Sequence, residues 1–140
     1  MLILILALVS SLTAVAQLHV ASVLNGKYRD NPNAQETILK GEVLQDYKLK
    51  YYDGLTLTDM PEAAVQIEPL VTRDGASALH REVSYKGGTL YYAYYMLQRG
   101  CDVNRYLFYL NRYPVGGNQI VLIYMEGEAG YDRIKKMLKR

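Results

Sequence analysis

The side chains able to do chemistry are few and scattered along the chain. A thiol and an imidazole together make a nucleophile and its base, and the chain offers one Cys, Cys101, and two His, His19 and His80. A nucleophilic Cys needs a base within hydrogen-bond reach and surroundings that favour the thiolate. Cys101 falls in the turn RGCDVNR and His80 late in a helical pattern, so nothing in the spacing joins them. Acid–base work would need two carboxylates held at a defined separation across a cleft. Asp46, Asp53, Asp59, Asp74, Asp102, Glu126 and Glu128 are the candidates, and no spacing pairs them. Asp53, Asp59 and Asp102 read instead as turn or cap residues. Gly87-Gly88 and Gly116-Gly117 lack the Lys-Ser/Thr and the strand-to-helix setting of a phosphate loop. So few Cys and His cannot complete a standard zinc site, and a single Cys cannot form an internal disulfide. No calcium-loop pattern is present. The expectation is therefore no catalytic residue, no cofactor and no metal.

Charge excludes another class. The chain of 140 residues carries 16 basic and 14 acidic side chains, a net +2, too weak for a nucleic-acid groove. The aromatic content is lopsided, with 14 Tyr, one Phe and no Trp.

The elements that must position these residues begin after an N-terminal segment. Leu2 to Val9 (LILILALV) is an unbroken apolar run, and Ala14-Val15-Ala16 offers the small residues a signal peptidase accepts. Residues 1–16 read as a signal peptide, too short to span a bilayer as an anchor. Residues 17–140 read as a single domain. The exported protein would then meet the membrane only through the signal peptide before cleavage, and no Cys follows the apolar run to carry a lipid.

A short helical stripe is expected over 18–28, a strand over 36–40, a helical turn over 41–48, and strand composition over 49–57 interrupted at Asp53-Gly54. Asp59 and Glu62 form a capping-box pattern around Pro61. Ala63, Ala64, Ile67, Leu70 and Val71 then make one helical stripe, expected to run to about Glu82 unless Gly75 breaks it, with Lys86-Gly87-Gly88 as the stop. Strands follow over 89–98, 105–112 and 118–126, joined by short links that imply antiparallel hairpins. A helix over 129–139 closes the chain, apolar at Tyr131, Ile134, Met137 and Leu138 and basic on its other side. The expected fold is α+β, two-layer: an antiparallel three- to five-stranded sheet with helices packed on one face.

The tyrosines are the one anomaly. Alternate residues of a strand share a face. The first strand of the meander divides into Leu90, Tyr92, Tyr94 and Met96 against Tyr91, Ala93, Tyr95 and Leu97. The second divides into Tyr106, Phe108 and Leu110 against Leu107 and Tyr109, and the third into Ile120, Leu122 and Tyr124 against Val121, Ile123 and Met125. Both faces are apolar or aromatic, and one layer of helices covers one face. The other must meet the N-terminal segment, water, a second copy or a ligand. Tyr suits such a face, because its ring buries area while its hydroxyl stays hydrogen-bonded. Tyr92, Tyr94, Tyr106 and Tyr109, with Arg105, are the candidate interface.

The C-terminal third carries Gly87-Gly88, Asn104-Arg105-Tyr106 and Tyr124-Met125-Glu126-Gly127 ahead of a short terminal helix. In this it resembles small exported proteins of unknown function from Bacteroidetes. That resemblance implies an envelope location, hence the periplasm, and implies no activity. The expected function is a non-catalytic exported domain whose Tyr-rich sheet face makes protein contacts or self-associates. The alternatives are a small-molecule or glycan-binding module and, last, a hydrolytic enzyme with a site assembled from scattered residues.

Overall fold

The computed structural model describes residues 17–139, and the expected signal peptide, 1–16, lies outside them. Six strands form one antiparallel sheet: β1 (Ala34–Lys40), β2 (Leu49–Thr58), β3 (His80–Lys86), β4 (Thr89–Gln98), β5 (Asn104–Asn111) and β6 (Gln119–Gly127). Their spatial order is β1-β2-β6-β5-β4-β3. The helices are α1 (Ala21–Leu24), α2 (Ala63–Gly75) and α3 (Tyr131–Leu138), and a 3-10 segment, Gly41–Tyr47, joins β1 to β2. No helix among the described residues is long and apolar enough to cross a membrane.

The β4-β5-β6 meander forms as its alternation and short links require. The sheet exceeds the expected three to five strands because both flanks add a hairpin. On one side Leu49–Thr58 is a single strand, uninterrupted at Asp53-Gly54. Gly54 is there for packing, since a Cβ would stand 2.5 Å from the Tyr52 hydroxyl. On the other side His80–Lys86 is strand β3, paired with β4, where continuation of the helix is the sequence expectation. The helix stops at Gly75, a position that must be Gly because a Cβ there would overlap the Tyr95 ring. Gly87 and Gly88 have φ of 59° and 79°. They form the two-residue turn of the β3–β4 hairpin, the backbone such turns demand, and do not terminate a helix.

The expected capping box does not form. Glu62 stands at the N-cap of α2 without a side-chain cap bond. Asp59 adopts φ 57° and accepts a 3.0 Å bond from Asn118 Nδ2, which ties the strand end to the β5–β6 loop.

Helices cover both faces of the sheet, so the two-layer, one-face expectation is corrected to three layers. On the first face α1 and α2 pack through Val23, Leu24, Ala63, Ile67 and Val71 onto Leu55, Leu57, Leu107, Tyr109, Leu122 and Tyr124. On the second face Leu44 of the 3-10 segment, Ala129 and Ile134 pack onto Tyr94, Met96, Tyr106, Phe108 and Met125. The cause is the two-sided apolarity of β4, β5 and β6: each face must lose its water, and one helix layer serves only one of them. The chain reaches the second face past Gly127, where a Cβ would stand 2.5 Å from the Lys48 carbonyl oxygen. There the Ala129 N–H donates to that same oxygen at 2.9 Å.

Candidate functional site

The five candidate interface residues do not share one surface. Tyr94 and Tyr106 are fully buried on the second face, and Tyr109 is fully buried on the first. The helices that were expected on one side stand over both. Tyr94 donates its hydroxyl to the Tyr131 carbonyl at 2.7 Å, and Tyr106 donates to the Ala129 carbonyl at 2.6 Å. Both hydroxyls are thus used to seat the start of α3. The Tyr131 ring stacks on Tyr94 at 4.7 Å between centroids. Burial raises the Tyr94 and Tyr109 hydroxyls above their usual range. Arg105 is half-buried on the first face, bonded to Gln98 at 2.5 Å and 3.7 Å from the Glu126 carboxylate. Glu126 also accepts the Tyr124 hydroxyl at 2.6 Å.

Tyr92 is the one aromatic candidate left half-open. It sits in a cross-strand row, Tyr92–Leu110–Val121–Thr56, that crosses β4, β5, β6 and β2 and is half-exposed throughout. Beneath it Tyr92 meets Phe108 edge-on at 5.5 Å. The row is open because α3 has 8 residues, about 12 Å of helix, while six strands span roughly 24 Å across the sheet. The 3-10 segment lies at the Leu49 end of β2, away from Thr56, and leaves the row uncovered.

A second constellation escaped the sequence reading. Asp53, expected as a turn residue, is 2% exposed in mid-β2 on the first face. Its carboxyl lies against that of Glu36 on β1, with which it hydrogen-bonds once one of them holds a proton. Neither Asp53 Oδ1 nor Glu36 Oε2 meets another donor among the described residues. Burial, first, and the neighbouring Glu36 push Asp53 up to about 8. Asp53 therefore keeps its proton in neutral solution. Tyr28, Arg29, Ala34, Glu36, Ile38 and Leu55 line a recess of about 290 Å³ beside the pair. The signal that finds Asp53 is alternation: in LKYYDGLTL it falls on the face of Tyr51, Leu55 and Leu57.

Two further polar clusters hold elements in place. Asp74, at the end of α2, accepts from the His19 N–H at 2.7 Å, from the Val20 N–H at 2.9 Å, and pairs with His19 Nδ1 at 2.9 Å. It caps α1 from a distance, satisfying donors that the four-residue helix cannot. Glu82 on β3 accepts the Tyr131 hydroxyl and pairs with Lys135 at 2.8 Å. The Lys135 ammonium and the Tyr131 hydroxyl hold Glu82 below its usual carboxylate value. Cys101 is exposed, and His80 rests against the Tyr131 ring at 5.1 Å. No group of three His, Cys, Asp or Glu gathers in metal-binding geometry among the described residues.

No curated protein and no solved structure matches the chain. A family model does match over residues 7–138, nearly its whole length, and the chain belongs to that family, described as a family of unknown function (DUF6108).

Proposed function

We propose that the protein is exported to the periplasm and acts without catalysis, as a domain that docks another protein on the half-open strip of its sheet. The observation that carries this reading is the row Tyr92–Leu110–Val121–Thr56, half-exposed on a face where α3 and the 3-10 segment bury Tyr94, Tyr106, Phe108 and Met125. A flat apolar strip with a Tyr at one end suits protein contact, where aromatic side chains concentrate binding energy. Export is supported by the apolar run Leu2–Val9 and by Ala14-Val15-Ala16. A non-catalytic role is supported by the separate structural uses of Asp74, Glu82 and Glu126, each already engaged in holding elements together.

A photo-cross-linking side chain placed at Tyr92 in living cells tests the docking. It is expected to give a defined protein adduct that is lost when Leu110→Glu is added. The same probe at Val65, exposed on the outer side of α2, is expected to give none. Equal labelling from both positions would remove the strip from consideration. An N-terminus at Gln17 in the protein recovered from the envelope checks the export reading. The recess beside Glu36 favours the small-molecule or glycan alternative, which predicts a ligand-dependent rise in melting temperature.

A further inference from the structure

The two open edges of the sheet are built differently. β3 is guarded, since Tyr91 bulges from β4 opposite Ser84 and Tyr85 and shifts the register, and Arg81 and Lys86 flank the strand. Sheets commonly blunt their edges this way, because unpaired N–H and C=O groups are a template for another strand. β1 has neither Pro nor bulge. It pairs residue for residue with β2 from Ala34↔Leu57 to Lys40↔Tyr51. Its outer edge pairs with no strand among the described residues. Ile38 is 51% exposed there, between half-buried Glu36 and exposed Lys40.

We propose that β1 pairs antiparallel with β1 of a second copy of this chain, about a two-fold axis at Ile38, so that each Lys40 reaches Glu36 of the partner subunit. The register follows from alternation. Glu36, Ile38 and Lys40 share one face of β1. An axis at Ile38 sets residue 36 opposite residue 40 and Ile38 against itself. It makes two charge pairs and one apolar contact, all on the same face. An axis at Thr37 would set Glu36 against Ile38, and one at Leu39 would set Lys40 against Ile38, leaving the charges unmatched. Opposite charges directly across a strand pair are favourable, and the two-fold closes the assembly at two copies. Each Lys40 already lies 5.7 Å from its own Tyr51 ring, on the face where it is needed.

This inference goes beyond the docking strip, which lies on the other face and does not include β1. The test combines light scattering with a symmetric cross-link. A five-residue edge contact is small, so the dimer is expected to be concentration-dependent. Light scattering is expected to find a twofold rise in mass with concentration, lost in Lys40→Glu. Ile38→Cys in a Cys101→Ser background is expected to oxidise to a covalent dimer, because residue 38 faces its own copy. Thr37→Cys, which points to the other face and lies off the axis, is expected to remain uncross-linked. Should Lys40→Glu fail to fold, the two Cys variants still decide the matter. A monomer at about 1 mM, equal oxidation at positions 37 and 38, or dissociation of the dimer by Tyr92→Glu would each overturn the proposal.

Discussion

Asp53 and Glu36 set two carboxyls against each other on the buried side of the β1–β2 pair, with no other donor to either facing oxygen among the described residues. The fold therefore holds Asp53 in its protonated form, and stability must depend on pH. Below about pH 4 the folded and unfolded chains both carry this proton, and its contribution is fully present. Between the ordinary value of 3.8 and about 8 only the folded chain keeps it, so stability falls by up to about 1.4 kcal/mol per pH unit. Above pH 8 nothing more is lost. Urea midpoints measured on dilute protein from pH 4 to pH 8 are expected to fall in wild type and to flatten in Asp53→Asn. Glu82 works in the opposite sense: its lowered value gives stability at neutral pH that is lost on acidification. Glu82→Gln separates the two.

Asp74 is expected to matter more than any other surface-reaching carboxylate. It is 6% exposed and accepts from two backbone N–H groups and the His19 ring. Bonds to an ionised acceptor are stronger than neutral ones, and losing it strands buried donors. Asp74→Ala is expected to cost about 3 kcal/mol and to free residues 18–24 from α2. Thermal melting reads the first effect, and faster amide exchange at Val20 the second. His19→Ala removes only the ring contact and leaves both backbone bonds, so its expected cost is below about 1 kcal/mol.

These particulars show what the amino-acid pattern contains. Alternation in β4, β5 and β6 correctly separates Tyr94 and Tyr106 from Tyr109, because a strand has only two faces. Leu90 departs from its row because the bulge opposite Ser84 and Tyr85 turns it to the first face. Which helix covers which face is not legible, since an apolar stripe at helical spacing marks a buried side without naming its destination. Tyr94 and Tyr106 therefore read as interface residues when they are the seat of α3. Asp53-Gly54 reads as a turn because those residue types favour turns. Cross-strand pairing overrode that local preference, and the carboxyl pair went with it. The residues of β3 suffered the same way: HREVSYK alternates, but it follows a strong helical stripe with only Gly75 between them.

The seat of α3 gives a direct measurement. The Tyr94 and Tyr106 hydroxyls are bonded to the Tyr131 and Ala129 carbonyls, and the helix has one fully buried side chain, Ile134. Tyr94→Phe and Tyr106→Phe keep the rings and remove one bond each, at about 1 to 2 kcal/mol apiece. The two hydroxyls hold the same few residues, so the double variant is expected to depart from additivity. Ile134→Ala, which empties a core site, is expected to cost about 2 to 5 kcal/mol. Hydrogen exchange over 129–138 is expected to accelerate in all three variants while the β5–β6 amides stay protected. Uniform acceleration across the sheet would mean that α3 unfolds only with the whole domain.

Gly75→Ala sets local preference against packing. Within a helix, Ala is more favourable than Gly by about 1 kcal/mol, so propensity alone makes this substitution stabilising. The structure predicts the reverse. Gly75 is buried at the end of α2, and a Cβ on it would overlap the Tyr95 ring. That ring is 3% exposed, held between α2 and the sheet, and cannot swing into solvent without opening the first core. Overpacking of this kind costs about 1 to 3 kcal/mol. Gly75→Ala is thus expected to be destabilising, and Tyr95→Leu, which removes the obstructing ring, is expected to lessen the penalty in the double variant. A double-mutant cycle on urea midpoints measures the coupling. A stabilised Gly75→Ala would show that α2 can shift away from β4, and that the Tyr95 ring does not require a Gly at this position.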